Sequence, residues 1–228
     1  MAMHQAQAYS SIREGIRNHR YRPGQQLTAL ATAERLGMSP VPVREALMRL
    51  FAEEFIEHHT NRGFFVREIT IDRLLEDSEV IWLVLRHAVD KALAVEDEQR
   101  FADLLRRLAV ADPGRLAGAA PERLAAELEG AYEALMLAVA NQRLARLMQR
   151  IVDQTHYARI VSFGLRRDRD VYLDRRHRFA DALRARDRAA ALAVLDQAHA
   201  EERAGAVALF REVTYRAQAE PPEGAPEG

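Results

Sequence analysis

The 228-residue chain has no cysteine and, among its 33 basic side chains, a single lysine, Lys91. Without cysteine there is no disulfide, no thiolate metal site and no cysteine nucleophile. With one lysine, nearly every cation is a guanidinium, a planar fork of donors suited to phosphates, carboxylates and guanine edges. No apolar run approaches the ~20 residues of a membrane helix, and no basic-then-apolar leader opens the chain, so a cytoplasmic protein with no membrane partner is expected. The sequence also lacks a phosphate loop and a nucleophile–base pair at any motif spacing, so an enzyme is not expected. From Ile69 onward glycine and proline thin out, and that half has no strand pattern. Long helices are the alternative.

Charge is unevenly spread. The chain carries a net −1, yet residues 1–67 hold nine arginines against six carboxylates, a net +3. A positive N-terminal part on a slightly acidic chain fits phosphate contact by that part.

Within it, residues 36–66 read as turn, helix and hairpin. Gly37 suits a left-handed helix stop, and Ser39 is placed to cap the next helix. Pro40 and Pro42 fall in its first turn, where a missing N–H costs little. Val43, Ala46, Leu47 and Leu50 then make one apolar face and leave Arg44 and Met48 off it. Phe55 to His59 and Phe64 to Val66 are strand-like and are separated by Thr60-Asn61-Arg62-Gly63, which is turn chemistry. The prediction is a helix-turn-helix followed by a two-stranded wing. An earlier helix with the stripe Tyr9, Ile12 and Ile16 supports it, and Thr28 caps the helix that ends at Leu36.

These residues resemble the GntR-type bacterial transcription regulators. The match lies in Pro23-Gly24, Leu27, Ala33, Leu36-Gly37-Met38-Ser39, Pro42-Val43-Arg44-Glu45-Ala46-Leu47, Leu50 and Arg62-Gly63 before Val66. The resemblance implies a double-stranded DNA operator as partner. Arg44 corresponds to the recognition-helix arginine, whose fork fits guanine O6 and N7. Ser39 and Arg49 correspond to positions that touch phosphate or flank the base contacts, and Arg62-Gly63 to a wing tip that approaches the minor groove. An arginine often follows the cap serine in that family; here Pro40 stands there.

The second half shows helical stripes. Leu74, Ser78, Ile81, Leu85, Val89 and Ala92 mark one, and Phe101, Leu104, Leu105 and Leu108 a second. A linker from Asp112 to Pro121 follows. Next come Leu124, Leu128, Tyr132, Leu135 and Val139, then Leu144, Leu147, Met148, Ile151 and Thr155. Two last helices span residues 171–186 and 189–215 and turn at Asp187. The expected fold is mainly α: a winged helix-turn-helix domain (1–68), an antiparallel bundle of six or so helices (69–215) and a disordered tail (216–228).

This half resembles the helical effector domain of the FadR-like branch, through Leu135, Asn141-Gln142-Arg143-Leu144, His177, Asp187, Ala191 and His199. The resemblance implies a homodimer with a small-molecule effector. Many members hold a divalent metal by an Asp-x3-His pair and two further histidines. His177 and His199, ten residues before and twelve after Asp187, lie about 15 and 18 Å from the turn and can face each other across it. The other two ligand positions carry Leu128 and Tyr132, and an inner Arg/Glu pair is replaced by Ile81 and Leu85. No metal is expected, with His177 and His199 as the only candidates for a low-occupancy ion. The expected pocket is Ile81, Leu85, Leu128, Tyr132, His156, His177 and His199, with Arg86 and His87 as further polar candidates, and the expected effector is largely apolar. A metal-assisted carboxylate pocket and a degenerate pocket remain as alternatives, and a metal-dependent enzyme as a remote one.

Overall fold

The computed structural model describes residues 2–109, 116 and 118–219. Its contacts divide the chain into two units. Residues up to Thr70 group with those from Val213 on, and Ile71–Glu212 form the other.

In the first unit, helix α1 (Ala2–Arg17) buries Ala8, Tyr9 and Ile12, with Ile16 at the edge of the same core. A Cβ at Gly15 would overlap the ring of Tyr21, so glycine there lets the tyrosine pack directly on the helix. Helix α2 (Ala29–Leu36) starts at Thr28, whose hydroxyl accepts from the Ala31 N–H at 3.2 Å. It stops at Gly37 (φ 63°), where the Met38 N–H reaches back to the Ala33 carbonyl at 2.9 Å. This left-handed close is open to glycine without steric cost.

Helix α3 (Pro40–Ala52) presents the expected face. Val43, Ala46, Leu47 and Leu50 are fully buried. Each buried leucine truncated to alanine would cost roughly 2–5 kcal/mol, which fixes the rotation of α3 and so the residues it turns outward. Ser39 occupies the N-cap position but makes no side-chain capping bond. A cap hydroxyl normally takes the N–H of the second or third helical residue, and Pro42, the third, has none. The expected cap is therefore corrected to a position without its bond.

The wing has one strand more than expected. β2 (Ile56–His59) pairs antiparallel with β3 (Gly63–Val66), and β1 (Gln26–Leu27) pairs on the other edge of β3, giving the order β1-β3-β2. A two-residue strand carries no readable alternation, and only the partner edge defines it.

Every regular element among the described residues of the second unit is a helix, and the last runs on past Glu212. α4 (Ile71–Leu93), α5 (Glu98–Leu108), α6 (Pro121–Val139), α7 (Gln142–Gln154), α8 (His156–Gly164), α9 (Arg166–Arg184) and α10 (Arg188–Ala219) make seven described helices where six or so were expected. Ile81, Leu85, Val89 and Ala92 of α4, Leu104 and Leu108 of α5, and Leu135 and Val139 of α6 form one core with Met148, Ile151, Phe179, Leu183 and Leu192, while Leu124 and Leu128 of the α6 stripe pack in a second cluster with Phe163 and Tyr172. The α6–α7 corner turns through Ala140 (φ 52°), and the Asn141 side chain caps α7 by accepting from Arg143 and Leu144. α8 was missed because a single residue, Thr155, separates it from α7. Its hydroxyl donates to the Ile151 carbonyl at 2.6 Å beside its own backbone N–H at 3.0 Å, and no glycine or proline marks the break in the sequence.

α9 begins at Arg166 rather than near Val171, because residues 166–170 show no apolar period. At the last turn Arg186 adopts φ 53°, and Asp187 caps α10 by accepting from Ala190 at 2.9 Å. Residues 216–219, expected in the tail, are the last turn of α10. The expected tail beyond them and most of the 112–121 linker lie outside the described residues.

Candidate DNA-reading face and effector cavity

With the buried face of α3 fixed, its outward stripe is Val41, Arg44, Glu45, Met48 and Arg49, all exposed. Arg44 has no ion pair or hydrogen bond among the described residues. Arg49 is held down: its Nε donates to Glu53 Oε1 at 3.0 Å, and its guanidinium lies 3.8 Å from the Tyr9 ring centroid. The Tyr9 hydroxyl donates to the other Glu53 oxygen. Burial, and then this carboxylate, push the phenol up to about 12. Arg49 thus joins α3 to α1 while staying half exposed.

At the wing tip, Asn61 and Gly63 take positive φ angles of 63° and 88°. The Arg62 N–H donates to the His59 carbonyl at 3.0 Å, and Gln26 Nε2 on β1 donates to the Arg62 carbonyl. His58 packs on Phe64 and His59 on Phe65, each pair with centroids 5.0 Å apart. These contacts stiffen the hairpin behind Arg62, whose guanidinium lies 5.2 Å from the Phe65 ring centroid and has no carboxylate partner among the described residues. Arg67 at the wing base is neutralised by Glu54 and Glu57. Of the expected DNA contacts, Arg44 and Arg62 are therefore the cations left unpaired.

The second unit encloses a cavity of about 100 Å³ between α4, α6, α9 and α10. Ile81, Leu85, Leu128, Tyr132 and His199 line it, as the sequence reading expected. His177 and His156 do not. His177 is exposed, with Nδ1 2.9 Å from the carbonyl of Leu173 on its own helix. The neighbouring Arg176 takes the inward place, since one residue is a rotation of about 100°. His156 is buried in a separate network, where Glu129 Oε1 lies 2.6 Å from its Nδ1 and 3.1 Å from Arg159 Nη2. His199 thus faces the cavity without the second histidine. Among the described residues, no group of three or more His, Cys, Asp or Glu side chains could hold a metal ion. The face-to-face histidine pair is corrected.

The structure also brings in residues that the sequence reading left out. Arg176 is 7 % exposed and spends all five N–H groups. Nε and Nη2 donate to the Leu108 carbonyl, Nη2 also to that of Arg107, and Nη1 to the Glu127 carbonyl and the Tyr172 hydroxyl, at 2.7–3.3 Å. It sits on the C-terminal carbonyls of α5, where the helix dipole favours a cation. Arg175 also lines the cavity. It pairs with Glu201 at 2.5 Å, while its buried Nε has no hydrogen-bond partner. Burial raises the Tyr132 phenol, whose hydroxyl makes no hydrogen bond among the described residues.

In the same lining, Trp82 stacks on His199 with centroids 4.8 Å apart and planes 11° apart. Trp82 Nε1 donates to Asp196 at 2.8 Å, and Ser78 donates to Glu202 at 2.6 Å. Arg86 hydrogen-bonds Asp196 and holds that carboxyl below its usual range. An arginine-rich run such as residues 166–178 reads as a solvated face, so the inward turn of Arg175 and Arg176 has no signal in spacing alone.

A small sheet-edged helix-turn-helix with unpaired arginines on its outward helix and wing defines a DNA-binding class, and the comparisons agree. Residues 4–66 match the family model described as bacterial regulatory proteins, gntR family. The Nta operon transcriptional regulator of Aminobacter aminovorans is 28 % identical over 151 residues, 66 % of this chain and 70 % of that one. The uncharacterized HTH-type transcriptional regulator YdhC of Bacillus subtilis is 22 % identical over 69 % of this chain and 70 % of that one. The fold is similar to that of E. coli McbR/YncC, with a TM-score of 0.69, 20 % identity, and 92 % and 97 % of the two chains covered. Residues 4–66 are therefore similar to the gntR-family domain, and the relatives that extend over about two thirds of the chain are transcriptional regulators. These relatives are regulators, not enzymes. No described helix is long and apolar enough to cross a membrane.

Proposed function

We propose that this regulator works in the cytoplasm as a homodimer on a pseudo-palindromic operator, and that a small effector in a FadR-like helical unit modulates its DNA affinity. The observation that carries the DNA half is the outward stripe of α3, with Arg44 exposed and unpaired. Arg44 reads a guanine in the major groove. Arg62 approaches the minor groove from the wing tip that Gly63 turns, and Ser39 and Arg49 contact phosphate. Arg44→Ala should cost about 1–3 kcal/mol at the cognate site and flatten the preference between sites. Arg49→Ala should weaken all sequences alike and reduce the salt slope. Gel shifts on cognate and scrambled duplexes at two salt concentrations test both, and normal operator binding by Arg44→Ala would overturn the assignment.

For the effector, the walls supplied by Ile81, Leu85, Leu108, Leu128, Leu135 and Phe179 support a largely apolar molecule. The unpartnered Tyr132 hydroxyl and Arg175 Nε support one hydrogen-bond acceptor on it. A cavity of about 100 Å³ is well below the ~300–1,000 Å³ that holds a drug-sized ligand, so the effector is small. Its affinity should rise by about 0.8 kcal/mol for each of the first few CH₂ groups and then fall. The same small volume favours a second reading, a pocket that no longer answers a ligand. Calorimetry with small hydroxy acids and with apolar metabolites separates the two, and Trp82 fluorescence reports occupancy directly. Tight binding of hydroxy acids with no response to the apolar panel would reject the apolar effector.

A further inference from the structure

The outward face of α3 carries apolar surface where a reading helix usually offers hydrogen bonds. Val41 is 61 % exposed and Met48 54 % exposed, on one stripe with Arg44 and Glu45 between them. Pro40 and Pro42 flank Val41. Between Ser39 and Arg44 no side chain can donate or accept, although the N-terminal residues of a recognition helix are those that meet base edges. In the major groove only one base edge is apolar, the C5 methyl of thymine. Val41 is also β-branched, so its methyls are held nearly rigid on a helix and lose little freedom on contact.

We infer that Val41 reads a thymine through its C5 methyl group, next to the guanine read by Arg44. This rests on the proposed DNA-reading role of α3. Three residues at ~1.5 Å rise separate Val41 from Arg44 by ~4.5 Å along the helix. Base pairs stack ~3.4 Å apart. The thymine therefore lies one or two base pairs from the guanine in each half-site, on the side toward the N-terminus of α3.

The test uses the full chain. Selection from a random duplex pool yields the operator, which should carry a thymine one or two steps from a guanine in each half-site. Replacing that thymine by deoxyuridine removes only the methyl and should weaken wild-type binding about fourfold per half-site, the equivalent of ~0.8 kcal/mol for one buried methyl-sized group. Val41→Ala, at an exposed position outside the core, should bind the thymine and deoxyuridine duplexes equally, at the wild-type level for deoxyuridine. If the wild type binds both duplexes alike while Arg44→Ala still loses its site preference, the methyl contact is overturned and the role of α3 stands. A selected operator with no thymine within two steps of the guanine also overturns it. If Arg44→Ala keeps full preference, the α3 assignment fails and takes this inference with it.

Discussion

Replacing Arg176 by methionine isolates what an inward arginine contributes to the helical unit. The side chain is 7 % exposed, and its five N–H groups go to carbonyls and a hydroxyl rather than to a carboxylate. Two of those acceptors, the Arg107 and Leu108 carbonyls, end α5 and have no other donor among the described residues. Glu127 lies within α6, and the Tyr172 hydroxyl can rotate, so their losses are smaller. Leaving a buried carbonyl unpaired costs about 1–3 kcal/mol. Removing the buried guanidinium returns part of its desolvation penalty. The net expectation is a destabilisation of about 2–4 kcal/mol, a large share of the 5–15 kcal/mol typical of a domain. Trp82 is the only tryptophan and lies in the helical unit, so urea unfolding followed by its fluorescence reads that unit alone. With a slope near 2 kcal/mol/M, the midpoint should fall by roughly 1–2 M. Arg176→Lys should recover little, because one ammonium cannot span the acceptors of a fork. A methionine variant within ~0.5 kcal/mol of wild type would refute the view that Arg176 ties α9 to the end of α5.

Burial lowers His19 from 6.5 to about 4. The folded unit therefore binds fewer protons than the unfolded chain between those pH values, and stability present above pH 6.5 is lost as pH falls toward 4. The loss should reach roughly 1–3 kcal/mol, discounted for partial exposure. His19→Asn, which tolerates the φ of 56°, should flatten the pH dependence of melting followed by circular dichroism; an unchanged profile would contradict it. Ala140→Gly, at φ 52°, should stabilise by about 0.5–1 kcal/mol, because alanine pays a steric cost there that glycine does not; a lower melting temperature would show the reverse. Protein dialysed without chelator should carry well under one equivalent of zinc, nickel or manganese by elemental analysis. A stoichiometric ion lost in His199→Ala would bring the metal-assisted pocket back.

The N-terminal fold was legible because its signals are local. Thr28, Gly37 and the stripe Val43, Ala46, Leu47, Leu50 each act within a turn or two of chain, and each stands where expected. The same holds for most of the stripes of α4 to α7 and for the turn at Asp187, although Leu147 of the α7 stripe is exposed and Thr155 lies just past that helix. β1 and the missing Ser39 bond were not legible. The first exists only through the edge of β3, and the second is a side-chain orientation that the capping residue type does not fix, with Pro42 leaving Val41 as the one usual N–H partner.

The effector cavity divides in the same way. Sequence alone determined that Ile81, Leu85, Leu128 and Tyr132 share faces, because periodicity fixes which residues of one helix lie together. Only the tertiary structure decided that Arg176 rather than His177 turns inward, that His156 goes to Glu129, and that Trp82 lies flat on His199. A step of one residue rotates a side chain by about 100° at almost no cost to its own helix. The choice between neighbours is made by partners far along the chain, here the open carbonyls of α5 and the carboxylate of Glu129, and no pattern within α8 or α9 encodes it.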